Sequence, residues 1–233
     1  MSTFIKVENF DGVATLTLNR PEKRNALNSQ MRSFLKAEIR RLNEDNLTKV
    51  IILTGADPAF SAGVDLSELA DKDTDFAEIG PLSAPFFSSD IPVIGAINGA
   101  AYTGGFELAL TCTFLLASEK AVFADTHAKM GMMPGWGLSV HLPIAIGQNR
   151  AHQMMTTCQP ITANTALQWG LVNEVLPHDQ LMARAQDIAG EIAKSDIEVI
   201  RKVGALLNLN RADRDKQAWL NEQRAFIKID PAQ

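Results

Sequence analysis

The sequence predicts an α/β layered fold, and three observations carry that expectation. Short alternating or wholly apolar runs that read as strands are interleaved with longer runs of helical period. Two of the apolar runs end in a Gly-containing corner that leads into a helical segment. The C-terminal part is helical in pattern, with one strand-like interruption.

Phe4 to Phe10 and Val13 to Leu18 both alternate, and Asp11-Gly12 between them predicts a hairpin with a two-residue turn. Asn19-Arg20-Pro21 breaks the second strand. A helical pattern starts at Asn28, a suitable N-cap, and runs to about Asn46 with Met31, Phe34, Leu35, Ile39 and Leu42 as its apolar stripe. Val50 to Leu53, closed by Thr54-Gly55, reads as a buried strand, followed by a loop and a short helix through Leu69. Residues 71–90, with acidic residues, two prolines and Phe86-Phe87, read as either a mobile segment or a broken helix. Pro92 to Asn98 is a second buried strand, and a helix follows from near Gly104 to Cys112. Phe114 to Ala117 and Ala121 to Ala124 are further strands. After Pro134 the pattern is helical apart from Leu171 to Leu176, and the last fifty or so residues read as two or three amphipathic helices. The expected organisation is a core domain over 1–190 that carries the site, with a helical region over 191–233.

The 233 residues are 46% hydrophobic and 21% charged, the composition of a soluble globular protein with a sizeable core. A net charge of −5 without a basic run argues against nucleic acid as a partner. An anionic ligand would need locally placed cations. Cys112 and Cys158 lack CxxC spacing and read as reduced core thiols. The N-terminus begins in a strand-like pattern without a signal-peptide layout, and the apolar stretches are too short for a membrane helix. A cytoplasmic protein with no membrane partner is expected.

Two loops are candidates for chemistry. In Ala59-Phe60-Ser61-Ala62-Gly63-Val64-Asp65-Leu66 the small residues allow close approach to the backbone, and a strand-to-helix corner exposes N–H groups to an anionic oxygen. The same residues also suit an ordinary tight turn. In the second loop, Asn98 to Leu108, Gly104 and Gly105 fall at a helix N-terminus, and Glu107 lies one turn in among apolar neighbours. Desolvation there would raise its pKa and suit it to acid–base work; alternatively, Glu107 is a first-turn glutamate stabilising the helix end. Together the loops could supply two donors converging on one oxygen beside a carboxyl, the layout for stabilising an enolate while moving a proton.

Residues 59–66 closely resemble the first oxyanion loop of the crotonase superfamily, which includes enoyl-CoA hydratases and isomerases, and residues 97–110 resemble the second. Asn19-Arg20-Pro21 with Asn25-Ala26-Leu27 is similar to the family's N-terminal motif, and Gly131 to Gly137 and Ala166 to Val175 fit later segments. The resemblance covers nearly the whole chain. It implies a spiral of ββα turns with a helical C-terminal trimerisation region, and a homotrimer or a hexamer made of two trimers. The implied substrate is an acyl-CoA thioester, with coenzyme A belonging to the substrate and no separate cofactor. Val64 and Gly104 are implied to supply the oxyanion N–H groups, the backbone around Ala62, Val64 and Leu66 to contact the CoA adenine, and Lys23 or Arg24 to meet its phosphates. Trp136 is a candidate wall of the acyl pocket.

The chain departs from the family at one decisive place. Hydratases of the family flank a water with two glutamates. Glu107 matches the first, but the second position holds His127, within Phe123 to Gly131. Three readings stay open: His127 replaces the second carboxylate and hydration survives; Glu107 works alone in isomerisation or other enolate chemistry; or the chain binds acyl-CoA without turning it over. Asp125 is placed for a capping or structural role. His141, His152 and His178 show no metal-ligand spacing, and no metal site is expected. The chain also stops short of a further C-terminal helix common in the family.

Overall fold

The computed structural model describes residues 4–69, 86 and 89–228. Most of the 71–90 segment lies outside the described residues. The hairpin forms as expected: β1 (Ile5–Phe10) pairs antiparallel with β2 (Val13–Leu18), Phe10 opposite Val13, and Asp11 and Gly12 adopt φ 47° and 81°. That pair of positive φ values matches the twist of the flanking strands. Helix α1 (Ser29–Glu44) is capped by Asn28, whose side chain accepts from the Met31 amide. Strand β3 (Val50–Gly55) lies parallel to β2.

From β3 onward the chain repeats one move. β3 is followed by β4 (Ala59–Ser61) and α2 (Leu66–Leu69); β5 (Val93–Ile97) by β6 (Ala100–Tyr102) and α3 (Gly104–Thr111); and β7 (Phe114–Ser118) by β8 (Val122–Ala124). In each pair the first strand joins a six-stranded sheet, completed by β10 (Glu174–Leu176), in the order β1-β2-β3-β5-β7-β10. The second joins a four-stranded sheet, completed by β9 (Ile161–Thr162), in the order β4-β6-β8-β9. Neighbouring β3, β5 and β7 are parallel, as are β4, β6 and β8. This is the expected spiral of ββα turns. The residues of β4 and β6, which read as loop in the sequence, form strands here; three residues are too few to display a period.

The apolar strands of the large sheet are buried on both faces. Val50, Ile52, Ile94, Ala96 and Leu116 pack against Leu181, Ala185 and Ala189 of α7 (Leu181–Ala193). Ile51, Leu53 and Ile97 turn the other way and share a core with Met31, Leu35, Ile39 and Leu42 of α1 and Phe106, Leu108 and Ala109 of α3. Alternation of side chains across a strand, with helices on each side, explains why these runs are continuously apolar.

Helices α4 (Leu138–Ile146) and α5 (Gln148–Thr157) follow β8 in the chain, and α6 (Ala163–Trp169) falls between β9 and β10. Only Glu174 to Leu176 of the expected Leu171–Leu176 strand is extended. The last fifty or so described residues hold two helices, α7 and the long α8 (Ile197–Lys228), within the two or three expected. Helix α8 is anchored by Arg201 donating to the Asn43 carbonyl (2.7 Å) and Asn208 donating to the Ser89 carbonyl (2.7 Å), and it leaves Val199, Val203, Leu206, Leu207 and Leu209 exposed. Among the described residues no helix is long and apolar enough to cross a membrane.

Candidate active site

The first corner is held by a buried asparagine. Asn25 donates to the carbonyls of Ala56 and Ala59 (2.7 Å each), accepts from the Arg20 amide (2.9 Å), and its own carbonyl accepts from Ser61 Oγ (2.8 Å). Arg20 pairs with Asp65. Burial opposes that charge, but bonds from Ser67 and Arg20 prevail and hold the Asp65 carboxyl at about 2. Leu27 is bridged to the loop through its amide to the Gly63 carbonyl (2.7 Å) and its carbonyl from the Asp65 amide (3.3 Å). These bonds straddle Val64 and leave its amide unused by Leu27.

The second corner packs directly on the first. Gly63 has φ 99°, and a Cβ there would lie 2.9 Å from the Tyr102 carbonyl and 3.1 Å from the Gly104 amide. A Cβ on Gly104 would lie 3.3 Å from the Val64 amide and 3.0 Å from the Trp136 ring. A Cβ on Gly105 would collide with the Ser61 carbonyl at 2.2 Å. The backbone nitrogens of Val64 and Gly104 thus lie close together, with the buried Trp136 ring beside them. The residue before Gly104, Thr103, is strained at φ 52°, ψ −114°; its amide donates to Ala124 (2.9 Å) and its hydroxyl bonds to Thr126.

Glu107 is buried one turn into α3. Its Oε1 accepts from the Trp136 (2.8 Å) and Leu138 (3.4 Å) amides. Its Oε2 lies 3.8 Å from His127 Nε2. Burial pushes the Glu107 carboxyl up to about 7, with His127 opposing the rise and Glu222 adding to it. His127 is buried as well, and Asp125 Oδ1 is shared between its amide (3.1 Å) and its Nδ1 (2.7 Å). Burial alone would lower the imidazole; the Asp125 bond and the charges of Glu107, Asp125 and Glu222 outweigh it and leave it above its ordinary value. With Nδ1 facing Asp125, Nε2 faces Glu107. Asp125 is thus both the cap of its own turn and the orienting partner of His127.

Val64, Gly104, Glu107, His127 and Trp136 are therefore neighbours: Val64 and the Trp136 ring lie against Gly104, the Trp136 amide donates to Glu107, and His127 faces Glu107. Lys23, Arg24, Ala62 and Leu66 lie on the exposed corner outside this group, Ala62 donating to the Arg24 carbonyl (2.9 Å). Glu222 of α8 is a site neighbour that the sequence reading missed. It is buried and accepts from the Gly137 (2.7 Å) and Ser139 (3.0 Å) amides and from the Ser139 hydroxyl. A glutamate on an amphipathic helix carries no signal of where the helix will dock.

An α/β spiral of strand pairs, with two glycine-lined corners meeting beside a buried carboxyl, defines a protein of crotonase type. The family model described as enoyl-CoA hydratase/isomerase matches residues 8–230, and the chain belongs to that family. It is 36% identical over 206 residues to a probable peroxisomal enoyl-CoA hydratase of Arabidopsis thaliana, covering 84% of this chain and 75% of the relative. It is 33% identical to a crotonyl-CoA hydratase of Syntrophomonas wolfei, covering 95% and 88%. The crystal structure of an enoyl-CoA hydratase from Mycobacterium tuberculosis superposes with a TM-score of 0.91 at 42% identity, covering 97% of this chain and 98% of the other.

Proposed function

We propose that the chain hydrates an enoyl-CoA thioester, with a Glu–His pair in place of two glutamates. The observation that carries the reading is the 3.8 Å approach of His127 Nε2 to Glu107 Oε2 beside the Val64 and Gly104 amides. The thioester oxygen sits on those two amides. Water adds its oxygen to the β-carbon and gives a proton to His127 Nε2, and Asp125 stabilises the imidazolium. The double-bond electrons pass to the thioester oxygen, where the enolate is held. Glu107, about half protonated at neutral pH because burial raises it to about 7, delivers its proton to the α-carbon in the protonated fraction. The proton on His127 then returns to Glu107, restoring both groups.

The CoA part lies along Ala62, Val64 and Leu66, and exposed Lys23 and Arg24 supply the cations its phosphates need. Coenzyme A arrives with the substrate, so the reaction asks for no separate cofactor. The exposed apolar residues of α8 support a homotrimer or a hexamer of two trimers. The buried free thiols of Cys112 and Cys158 suit a reducing compartment such as the cytoplasm.

The test is crotonyl-CoA hydration by wild type, Glu107→Gln and His127→Ala, followed at the enoyl-thioester absorbance. Wild-type turnover with a loss of about a hundredfold or more in each variant is expected. A second reading, isomerisation by Glu107 alone, is favoured by the absence of a carboxylate at position 127. It predicts turnover of a 3-enoyl-CoA without solvent oxygen in the product and a tolerant His127→Ala. Thioester binding without any turnover would leave a binding protein.

A further inference from the structure

We infer that Glu222, far away on α8, is a positioning residue for Glu107: the two carboxylates divide one helix N-terminus between them, and Glu222 takes the negative charge so that Glu107 keeps its proton. The inference builds on the acid role proposed for Glu107.

The four consecutive amides at the start of α4 alternate between the two side chains. Trp136 and Leu138 donate to Glu107, at 2.8 and 3.4 Å; Gly137 and Ser139 donate to Glu222, at 2.7 and 3.0 Å. Such a division needs a carboxyl on each side of the turn, one from α3 and one from α8. It also needs the tight corner at Gly137 (φ 104°), where a Cβ would meet the His141 ring at 2.8 Å. Gln223, next to Glu222, donates to the Gly135 carbonyl (3.0 Å), so α8 grips the same turn twice.

One helix N-terminus carries roughly half a positive charge. It cannot offset two buried carboxylates, and each anion raises the cost of the other. Glu222 has the stronger donor set: two well-aligned amides and the Ser139 hydroxyl, against one short and one long amide bond for Glu107. The anion therefore settles on Glu222 and the proton on Glu107. Burial raises both carboxyls, and Glu222 adds to the rise at Glu107, in keeping with this division. The ionisable group facing the pair is His127, with Asp125 behind it; His141, against the turn at Gly137, has Asp215, Arg211 and Arg214 as its own neighbours. All are left in place by a change at position 222.

The C-terminal helix would thus tune the acid as well as cover the core. The test is a direct carboxyl titration, by carbon-detected NMR or difference infrared spectroscopy, on the full chain. Wild type, Glu222→Gln and Glu222→Asp are compared, with Glu107→Gln identifying the Glu107 signal. In Glu222→Gln the midpoint of Glu107 is expected to fall by about one pH unit or more, the scale of a coupled pair. In Glu222→Asp, which keeps the charge, it stays raised. If crotonyl-CoA is turned over, the alkaline limb of its pH–rate profile moves down with the midpoint. An unchanged midpoint in folded Glu222→Gln overturns the inference. Ser139→Ala covers the case where Glu222→Gln fails to fold: losing one donor to Glu222 should lower the Glu107 midpoint by a smaller amount, and no movement again overturns it. The titration reads Glu107 whether or not the protein hydrates crotonyl-CoA, so failure of the hydratase reading and failure of this one are separate results.

Discussion

The corner formed by residues 61–64 with 102–105 and the turn formed by residues 136–139 both present backbone amides to the site, but they are held in different ways. At the corner, backbone lies against backbone: Gly63 against the Tyr102 carbonyl, Gly105 against the Ser61 carbonyl, with no room for a side chain. At the turn, the amides are taken up by carboxylates brought in from α3 and α8. The first arrangement depends on the shape of the chain and is insensitive to pH. The second depends on charge, and each carboxyl answers to its neighbours. In the proposed hydration, rigid backbone would hold the thioester oxygen and coupled side chains would move the protons.

The largest effect expected from breaking the contrast is at Gly105. Gly105→Ala puts a Cβ 2.2 Å from the Ser61 carbonyl, which only a backbone shift can relieve, and a loss of about 3 kcal/mol in denaturant unfolding is expected. A neutral outcome would mean that the corner is compliant.

Glu107→Gln probes the other half, with the opposite sign. A buried carboxyl raised to about 7 in the folded state contributes stability that is fully present below its unfolded value and lost as pH rises through 7. The neutral amide escapes that loss. The variant should therefore match wild type near pH 5 and exceed it at pH 8, by on the order of 2–3 kcal/mol in chemical denaturation. Equal stability at both pH values would remove the burial cost on which the proposed acid role rests.

Asp125→Asn should give the smallest change. It leaves the turn's shape but withdraws the charge behind His127, so the His127 titration midpoint should fall and kcat/KM should drop about tenfold, the lower end for an orienting partner. A midpoint that stays put would show that Asp125 serves only as a cap.

The features legible in the sequence were those set within a few residues. The hairpin at Asp11-Gly12, the Asn28 cap, the buried strands and the glycines of the two corners follow from local backbone and period. So did the family, because its motifs are themselves short corners. What was not legible has equally physical causes. β4 and β6 are too short for a period to register, and their pairing is long-range. Asn25 reads as one residue of a motif, and its bonds to Ala56 and Ala59 exist only once the chain has folded back. Glu222 reads as a polar position on one of the expected amphipathic helices.

By itself the sequence determined the order of the longer elements, the two glycine-lined corners, the presence of Glu107 one turn into a helix, and the substitution of histidine for the second glutamate. Those depend on steric and hydrogen-bonding rules that act over one or two turns of chain. Only the tertiary structure decided that His127 Nε2 faces Glu107 with Asp125 behind it, and that Glu222 shares the turn at 136–139. Electrostatics inside a protein depends on distance and burial, and neither is a property of the linear chain.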